Sequence, residues 1–397
     1  MNKSLVSIST LIQKKLQVSQ FVFRPNSLAR AVNYFKNNFC GKTLYAVKTN
    51  PEPIILKSIY GLGIKSFDVA SLDEVKLVHN LFDDANIYFM HPVKSRYAIK
   101  ESYYKYGVRH FSLDSEEELN KILTETEFAK DLVLHVRLAI PNNFAELSLS
   151  EKFGTNLQDA PNLIRKTAKH TKKVGICFHV GSQSMHPDSY LIAIRTTQDV
   201  IGKSGITPAY FNVGGGFPSI YPGLIPPDLK KYFHCIEKEF NKINKHESMK
   251  LLAEPGRALV AESMSLIVRV DLRKGNKLYI NDGTYGSLFD AGIPGFVFPT
   301  KLICDDKIYP TDLMPFSFFG PTCDSLDYMK GPFYLPSDTC EGDLIEIGQI
   351  GAYGRTMATN FNGFACENEI INVCDEPLMT MYEDNHSINE KLEIIAA

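Results

Sequence analysis

Residues 43–51 read Thr43-Leu44-Tyr45-Ala46-Val47-Lys48-Thr49-Asn50-Pro51, and this stretch decides between two folds. Its first five residues are a short aromatic and β-branched run of the kind that forms a buried strand. An open, doubly wound sheet that binds a dinucleotide would follow such a strand with a glycine-rich turn. Here the turn is a lysine, two polar residues and a proline. Outward from it the same unit recurs, with strand-like runs at 65–69, 86–89, 110–113, 132–138, 174–180, 210–213 and 250–254. Longer amphipathic stretches lie between them, including 71–81, 115–124 and 190–201. Ser71 with Glu74, and Ser115 with Glu118, have the spacing of capping boxes. Eight strands, each followed by a helix, predict an α/β protein with a closed (β/α)8 barrel, here residues 28–260.

After about Leu259 the texture changes. Runs at 264–270, 277–281, 295–303 and 344–347 are separated by glycine and proline turns, with no helical period between them. This pattern predicts an antiparallel β domain, sandwich- or barrel-like, over 261–397. The strand-like Phe21-Val22-Phe23 assigns residues 1–27 to the same domain, and 384–397 reads as a frayed tail.

The balance of 43 basic against 45 acidic residues, a formal charge of -2, leaves no footprint for nucleic acid or an acidic membrane surface. There is no run of 18 apolar residues, and the start of the chain lacks an apolar core with a cleavage site, so a cytoplasmic protein is expected. The eight cysteines are far apart, without CxxC pairs or finger-like spacing to histidines. They read as reduced thiols, with no metal site among them.

Chemistry in such a barrel gathers at the C-terminal ends of the strands. Those positions carry Lys48, Asp68, Arg137, His179, the Gly214-Gly215-Gly216 loop, and Glu254 followed by Arg257. An isolated glycine triplet is as readily a flexible turn as an anion cradle. Beside Glu254-Pro255-Gly256-Arg257, after the seventh and eighth strands, it stands where barrels bind phosphate. No GK[ST] follows, which excludes a nucleotide P-loop. A lysine at the barrel mouth can form a Schiff base once its surroundings lower its pKa. Lysine, phosphate cradle and rim carboxylate are together the parts needed to hold pyridoxal phosphate.

The chain resembles the fold-type III pyridoxal phosphate decarboxylases, which act on ornithine, lysine, arginine or diaminopimelate. The matching segments are YAVKTNP (45–51), SFDVAS (66–71), EKFG (151–154), FHVGSQ (178–183), NVGGGFP (212–218), AEPGR (253–257), NDGTYGS (281–287), GPTCDSLD (320–327), GAYG (351–354) and FNGF (361–364). The resemblance implies that Lys48 carries the cofactor, His179 stacks on its ring and Glu254 pairs with the ring nitrogen. Ser182, Gly214, Gly215, Gly216, Gly256, Arg257 and Tyr353 would contact the phosphate, while Asp68, Glu74 and Arg137 hold lysine and ring in place. Cys323, as proton donor to the α-carbon, and Asp324 would come from the second subunit of a head-to-tail homodimer with shared sites, and Phe361 would line the pocket.

The Cys323-Asp324-Ser325 triplet follows the ornithine and lysine branch, where the aspartate clasps the distal ammonium; diaminopimelate decarboxylases typically have glutamate at that position. The second acid of eukaryotic ornithine decarboxylases is out of register, and Asp290 is the only nearby candidate to replace it. The expected reaction is L-ornithine to putrescine and carbon dioxide in polyamine biosynthesis, with L-lysine to cadaverine as a second activity. The alternatives are a lysine, carboxynorspermidine or diaminopimelate decarboxylase, or a cofactor-free binding protein like antizyme inhibitor.

Overall fold

The computed structural model describes residues 5–10, 16–140, 145–147, 152–244, 248–303, 312–364 and 369–382. The chain forms two compact units. One comprises Val32–Pro218 and Pro226–Gly256, the other Met1–Ala31, Ser219–Ile225 and Arg257–Ala397.

The first unit is a near-closed parallel barrel. Its strand segments run in the order Lys42–Thr43, Lys250–Ala253, Tyr210–Asn212, Lys173–Cys177, Val133–Arg137, His110–Leu113, Asn86–Phe89, Ser66–Val69, Tyr45–Ala46. The first and last segments are halves of one strand interrupted at Leu44. Thr43 pairs with Ala253 on one side and Ala46 with Asp68 on the other. Leu44 N–H still donates to the Ala253 carbonyl at 2.8 Å. One strand therefore serves both edges, which closes the sheet and leaves the eight expected strands around the barrel. Leu44, Tyr88, Met90, Cys177 and Leu252 form a buried apolar cluster, placing hydrophobic residues from several strands out of water.

The helices start where the polar spacing indicated. Glu74 N–H donates to Ser71 Oγ and Glu118 N–H to Ser115 Oγ, both at 3.2 Å. Neither glutamate closes the reciprocal half of a capping box. Glu74 Oε2 accepts instead from Ala70 N–H at 2.7 Å, and Glu118 forms a buried ion pair with Lys94 at 2.8 Å. The helix Asp188–Ser204 ends on Gly205, whose φ of +68° is the left-handed conformation that glycine adopts without a Cβ penalty. The expected strand at 174–180 stops at Cys177, because the chain turns there. Gly181, at φ +92°, donates its N–H to His179 Nδ1.

The second unit is a curled sheet built on the long strand Met264–Lys274. The N-terminal strand Gln20–Phe23 pairs with it as expected, as do Lys277–Ile280 and Leu344–Ile347, and Thr300–Ile303 extends the sheet beyond Leu344–Ile347. The sheet is mixed, not purely antiparallel: Lys277–Ile280 runs parallel to Leu313–Phe319, and Gln20–Phe23 parallel to Ile371–Asn372. Leu313–Phe319 and its partner Tyr328–Pro336 escaped the sequence pattern, because Pro315, Gly331 and Pro332 break their apolar alternation. The lattice tolerates them: Pro315 lies outside the part of its strand that pairs with Lys277–Ile280, and Tyr328–Pro336 is an edge strand. Ile8, Val22, Ile267, Leu344 and Val373 pack beneath this sheet. The buried Arg24–Glu346 ion pair, with Ser265 bonding both partners, locks the N-terminal strand to it.

The described cysteines are free thiols. Among the described residues no helix is long and apolar enough to cross a membrane, and no group of side chains is arranged to hold a metal ion. The expected tail at 384–397 lies outside the described residues.

Candidate active site

Lys48 sits in the single 3₁₀ turn Val47–Thr49 that ends the first barrel strand. The turn is anchored across the barrel by Ala46 N–H, which donates to the Pro255 carbonyl at 3.2 Å. Gly256 lies so close to Thr49 that a Cβ would stand 2.0 Å from its Oγ1. Bare backbone at 256 is thus a packing requirement of the turn that carries Lys48.

The positive charge of Lys48 acts on Asp68, His179 and Glu254 at strand ends and on Glu74 in the first turn of the helix Leu72–Leu81, which gathers them into one electrostatic group. Asp68 is buried, and burial raises its pKa against the pull of Lys48 and Arg137. Burial also lifts Glu74 to about 7, with Asp68 adding repulsion and the Ala70 N–H opposing. Glu254 rises to about 8, first from burial and then from the Asp68 charge, with Lys48, Asn212 and Arg137 opposing. His179 is held well below its usual range by burial, Lys48 and Arg137. Its Nδ1 accepts a hydrogen bond from Gly181 N–H at 3.0 Å, so the neutral imidazole carries its proton on Nε2.

Asn212 links the acid to the glycine loop. Its Nδ2 donates to Glu254 Oε1 at 2.6 Å, and its Oδ1 accepts from Gly214 N–H at 2.9 Å. The loop has no room for side chains: a Cβ at Gly215 would fall 2.7 Å from the Glu254 carbonyl and 3.0 Å from His179 Nε2. At Gly216, φ is +101° and a Cβ would lie 2.4 Å from the Gly181 carbonyl. Tyr190 Oη donates to the Gly215 carbonyl and Ser184 N–H to that of Gly216, both at 2.9 Å. These bonds turn the triplet into a fixed cradle. Ser182 opens the short strand Ser182–Ser184, paired with Ala145–Leu147.

The second unit holds two groups of its own. In the first, buried Arg257 donates from Nη1 to Tyr221 Oη at 2.8 Å, and its Nη2 lies 2.9 Å from Asp290 Oδ2. The rings of Tyr353, Phe296 and Tyr221 surround the guanidinium at 5.0, 5.2 and 5.8 Å. Asp290, expected to face the distal amine of a substrate, lies instead beside this arginine, whose charge its carboxylate matches. In the second group, Asp324 accepts from Tyr285 Oη at 2.8 Å and from Leu326 N–H at 2.9 Å. These bonds hold its pKa below the ordinary value. Cys323 Sγ is 3.3 Å from Asn362 Oδ1, and the Phe361 ring lies 5.0 Å from that of Tyr285. Asp327 ties the loop together, accepting from Thr284 N–H at 2.7 Å and from Thr322 Oγ1 at 2.7 Å.

Asn212, Tyr221, Tyr285 and Asp327 were given no role from sequence. Asn212 had a readable signal, a polar side chain inside a buried strand just before three glycines. Tyr221 had none, since Arg257 lies 36 residues away, and Asp327 bonds both Thr284, 43 residues away, and Thr322 within its own loop.

Fold and site define a parallel barrel that presents a lysine, acids and a rigid glycine cradle at the C-terminal ends of its strands. The comparisons with known proteins agree. Residues 26–261 match the family model described as pyridoxal-dependent decarboxylase, pyridoxal binding domain, and the chain belongs to this family, in its ornithine/lysine decarboxylase branch. It is 32% identical over 337 residues to the lysine/ornithine decarboxylase of Selenomonas ruminantium, covering 82% of each chain. It is 30% identical over 357 residues to antizyme inhibitor 2 of Xenopus laevis, covering 81% of this chain and 74% of that one. The arginine decarboxylase of Paramecium bursaria Chlorella virus bound to agmatine superposes with a TM-score of 0.80 at 26% identity, over 92% of this chain and 98% of that one.

The residues present fit the pyridoxal phosphate that this family implies. Arg257 Nε is buried with no acceptor among the described residues, a spare donor of the kind a phosphate oxygen would satisfy. The glycine cradle exposes backbone in place of side chains. Neutral His179 offers a flat face, and half-buried Glu254 an acid that could face a ring nitrogen.

Proposed function

We propose that the chain decarboxylates L-ornithine to putrescine with pyridoxal phosphate as cofactor, and L-lysine to cadaverine as a second activity. The observation that carries this reading is the grouping of Lys48 with Asp68, His179 and Glu254 at the strand ends of one barrel and with Glu74 in the helix turn that follows. When bound, pyridoxal phosphate supplies the electron sink for the pair left behind by departing carbon dioxide.

The protein's own residues do the rest. Lys48 holds the cofactor between turnovers and releases the amine product. Asp68, Glu74 and Arg137 fix Lys48 and the ring, His179 packs on the ring face, and Glu254 holds a proton at the ring nitrogen. Ser182, Gly214, Gly215, Gly216, Gly256, Arg257 and Tyr353 bind the phosphate. Asp324, ionised and braced by Tyr285, clasps the distal ammonium, and Phe361 forms the apolar wall. In a cytoplasmic homodimer, Cys323 and Asp324 serve the site of the partner subunit. One methylene separates ornithine from lysine, worth about 1 to 3 kcal/mol, so both substrates are expected to be accepted.

The purified chain is expected to absorb near the visible edge and to shift on adding ornithine. A panel of ornithine, lysine, arginine and diaminopimelate, with amine detection, then ranks the substrates. A colourless, cofactor-free preparation inert toward all four would overturn the reading in favour of a binding protein.

A second expectation isolates the proton donor. Cys323→Ala is expected to retain the cofactor and to slow turnover by about 10²-fold, the scale of one general-acid contribution. Diamine formed per carbon dioxide released should fall, because the proton then arrives at the wrong atom. Diamine yield equal to carbon dioxide release in the variant would remove Cys323 from the role.

A further inference from the structure

Arg257 is the one fixed cation assigned to the phosphate, and its charge is already partly spoken for. Asp290, 6% exposed, sets Oδ2 at 2.9 Å from Arg257 Nη2. The contact is an ion pair without hydrogen-bond geometry, and Oδ2 has no hydrogen-bond partner among the described residues. Tyr221 occupies Nη1 with a neutral hydroxyl, and the surrounding rings of Phe296 and Tyr353 bring no countercharge. The helical turn Phe289–Gly292 fixes Asp290 in place: Phe296 N–H donates to the Asp290 carbonyl at 2.8 Å.

A phosphate that takes the free Nε of Arg257 must therefore settle on a guanidinium already shared with a buried carboxylate. Two anions on one cation repel, and in a buried setting that repulsion is not screened by water. A guanidinium held only by Tyr221 would present its full charge to the phosphate.

We infer that Asp290 is an affinity-setting residue, a resident anion that competes with the cofactor phosphate for Arg257 and keeps pyridoxal phosphate exchangeable. This rests on the proposed cofactor reading and names what regulates occupancy of that site. It also gives Asp290 a task other than substrate recognition, leaving the distal ammonium to Asp324.

The test is equilibrium binding to the full, cofactor-free chain, with pyridoxal phosphate, pyridoxal and inorganic phosphate as separate probes. Asp290→Asn keeps the shape and removes the charge. It is expected to tighten pyridoxal phosphate and inorganic phosphate by about tenfold or more while leaving pyridoxal unchanged. Unchanged or weaker phosphate binding in Asp290→Asn would overturn the inference, since a carboxylate that merely positions Arg257 predicts weakening. The wild-type chain provides a second measurement that does not depend on the variant folding. Its preference for pyridoxal phosphate over pyridoxal is expected to be small, about tenfold, and a preference near 10³-fold would overturn the inference by showing an unopposed arginine. Wild-type protein that binds neither aldehyde would instead overturn the cofactor reading, and this inference with it.

Discussion

Lys48→Ala is expected to lower the turnover of ornithine by on the order of 10⁴-fold, because covalent attachment and a proton transfer are lost together. The position of the residue is what makes the expectation this large. Its amine sits on a 3₁₀ turn pinned by the Ala46–Pro255 hydrogen bond and by the close approach of Gly256 to Thr49. Its charge reaches Asp68, Glu74 and Glu254. Removing it deletes the nucleophile and also the cation that partly relieves buried Asp68 and half-buried Glu74 and Glu254. Lys48→Arg separates the two effects. The guanidinium keeps the charge but stays protonated and cannot attack a carbonyl carbon. Turnover should fall equally in both variants, whereas thermal stability should suffer more in Lys48→Ala. Bound cofactor, measured after dialysis, should persist in part through the glycine cradle. Full turnover in Lys48→Ala would end the decarboxylase assignment.

The barrel was legible because its strands are short apolar runs set off by polar or glycine-containing turns. Asn86–Phe89 and His110–Leu113 have the expected bounds, and the other strands stop within a few residues of them. What could not be read was any feature that depends on a distant partner. The interruption at Leu44 lets one strand serve two neighbours, and no local pattern announces it. Leu313–Phe319 and Tyr328–Pro336 are strands by pairing with each other, despite prolines that argue locally against them. The site divides in the same way. Lys48, His179 and Glu254 stand just beyond the ends of barrel strands, where the sequence pattern puts them. Asp290 looked like a substrate ligand from its distance along the chain to Ser287, but Arg257 lies 33 residues upstream, and only folding brings them together. Cys323 and Asp324 rest on family resemblance alone, since their loop owes its shape to Asp327 and Tyr285.

Glu254→Gln tests whether this acid is the electrostatic partner of the ring. Its loss is expected to cost about 3 to 4 kcal/mol of transition-state stabilisation, a fall of at least hundreds-fold in turnover. A second, independent signature follows from its raised pKa in the cofactor-free chain. The unfolded carboxyl titrates near 4.5, while burial and the Asp68 charge move the folded one to about 8. Between those values the folded chain keeps a proton that the unfolded chain has released. Stability is therefore fully present below the lower value and falls with rising pH by up to about 1.4 kcal/mol per pH unit, levelling off beyond the upper one. Glutamine cannot ionise, so thermal melts of cofactor-free Glu254→Gln across this window should lose one proton's worth of slope. The slope contributed by Glu74, itself raised to about 7, should remain. A protonated ring nitrogen against Glu254 would favour the carboxylate form, so loading wild-type protein with pyridoxal phosphate should flatten its melt profile as the substitution does. If the cofactor-free wild type and Glu254→Gln melt with the same pH dependence, Glu254 is not a proton-holding acid in the folded chain, and the turnover loss would need another cause.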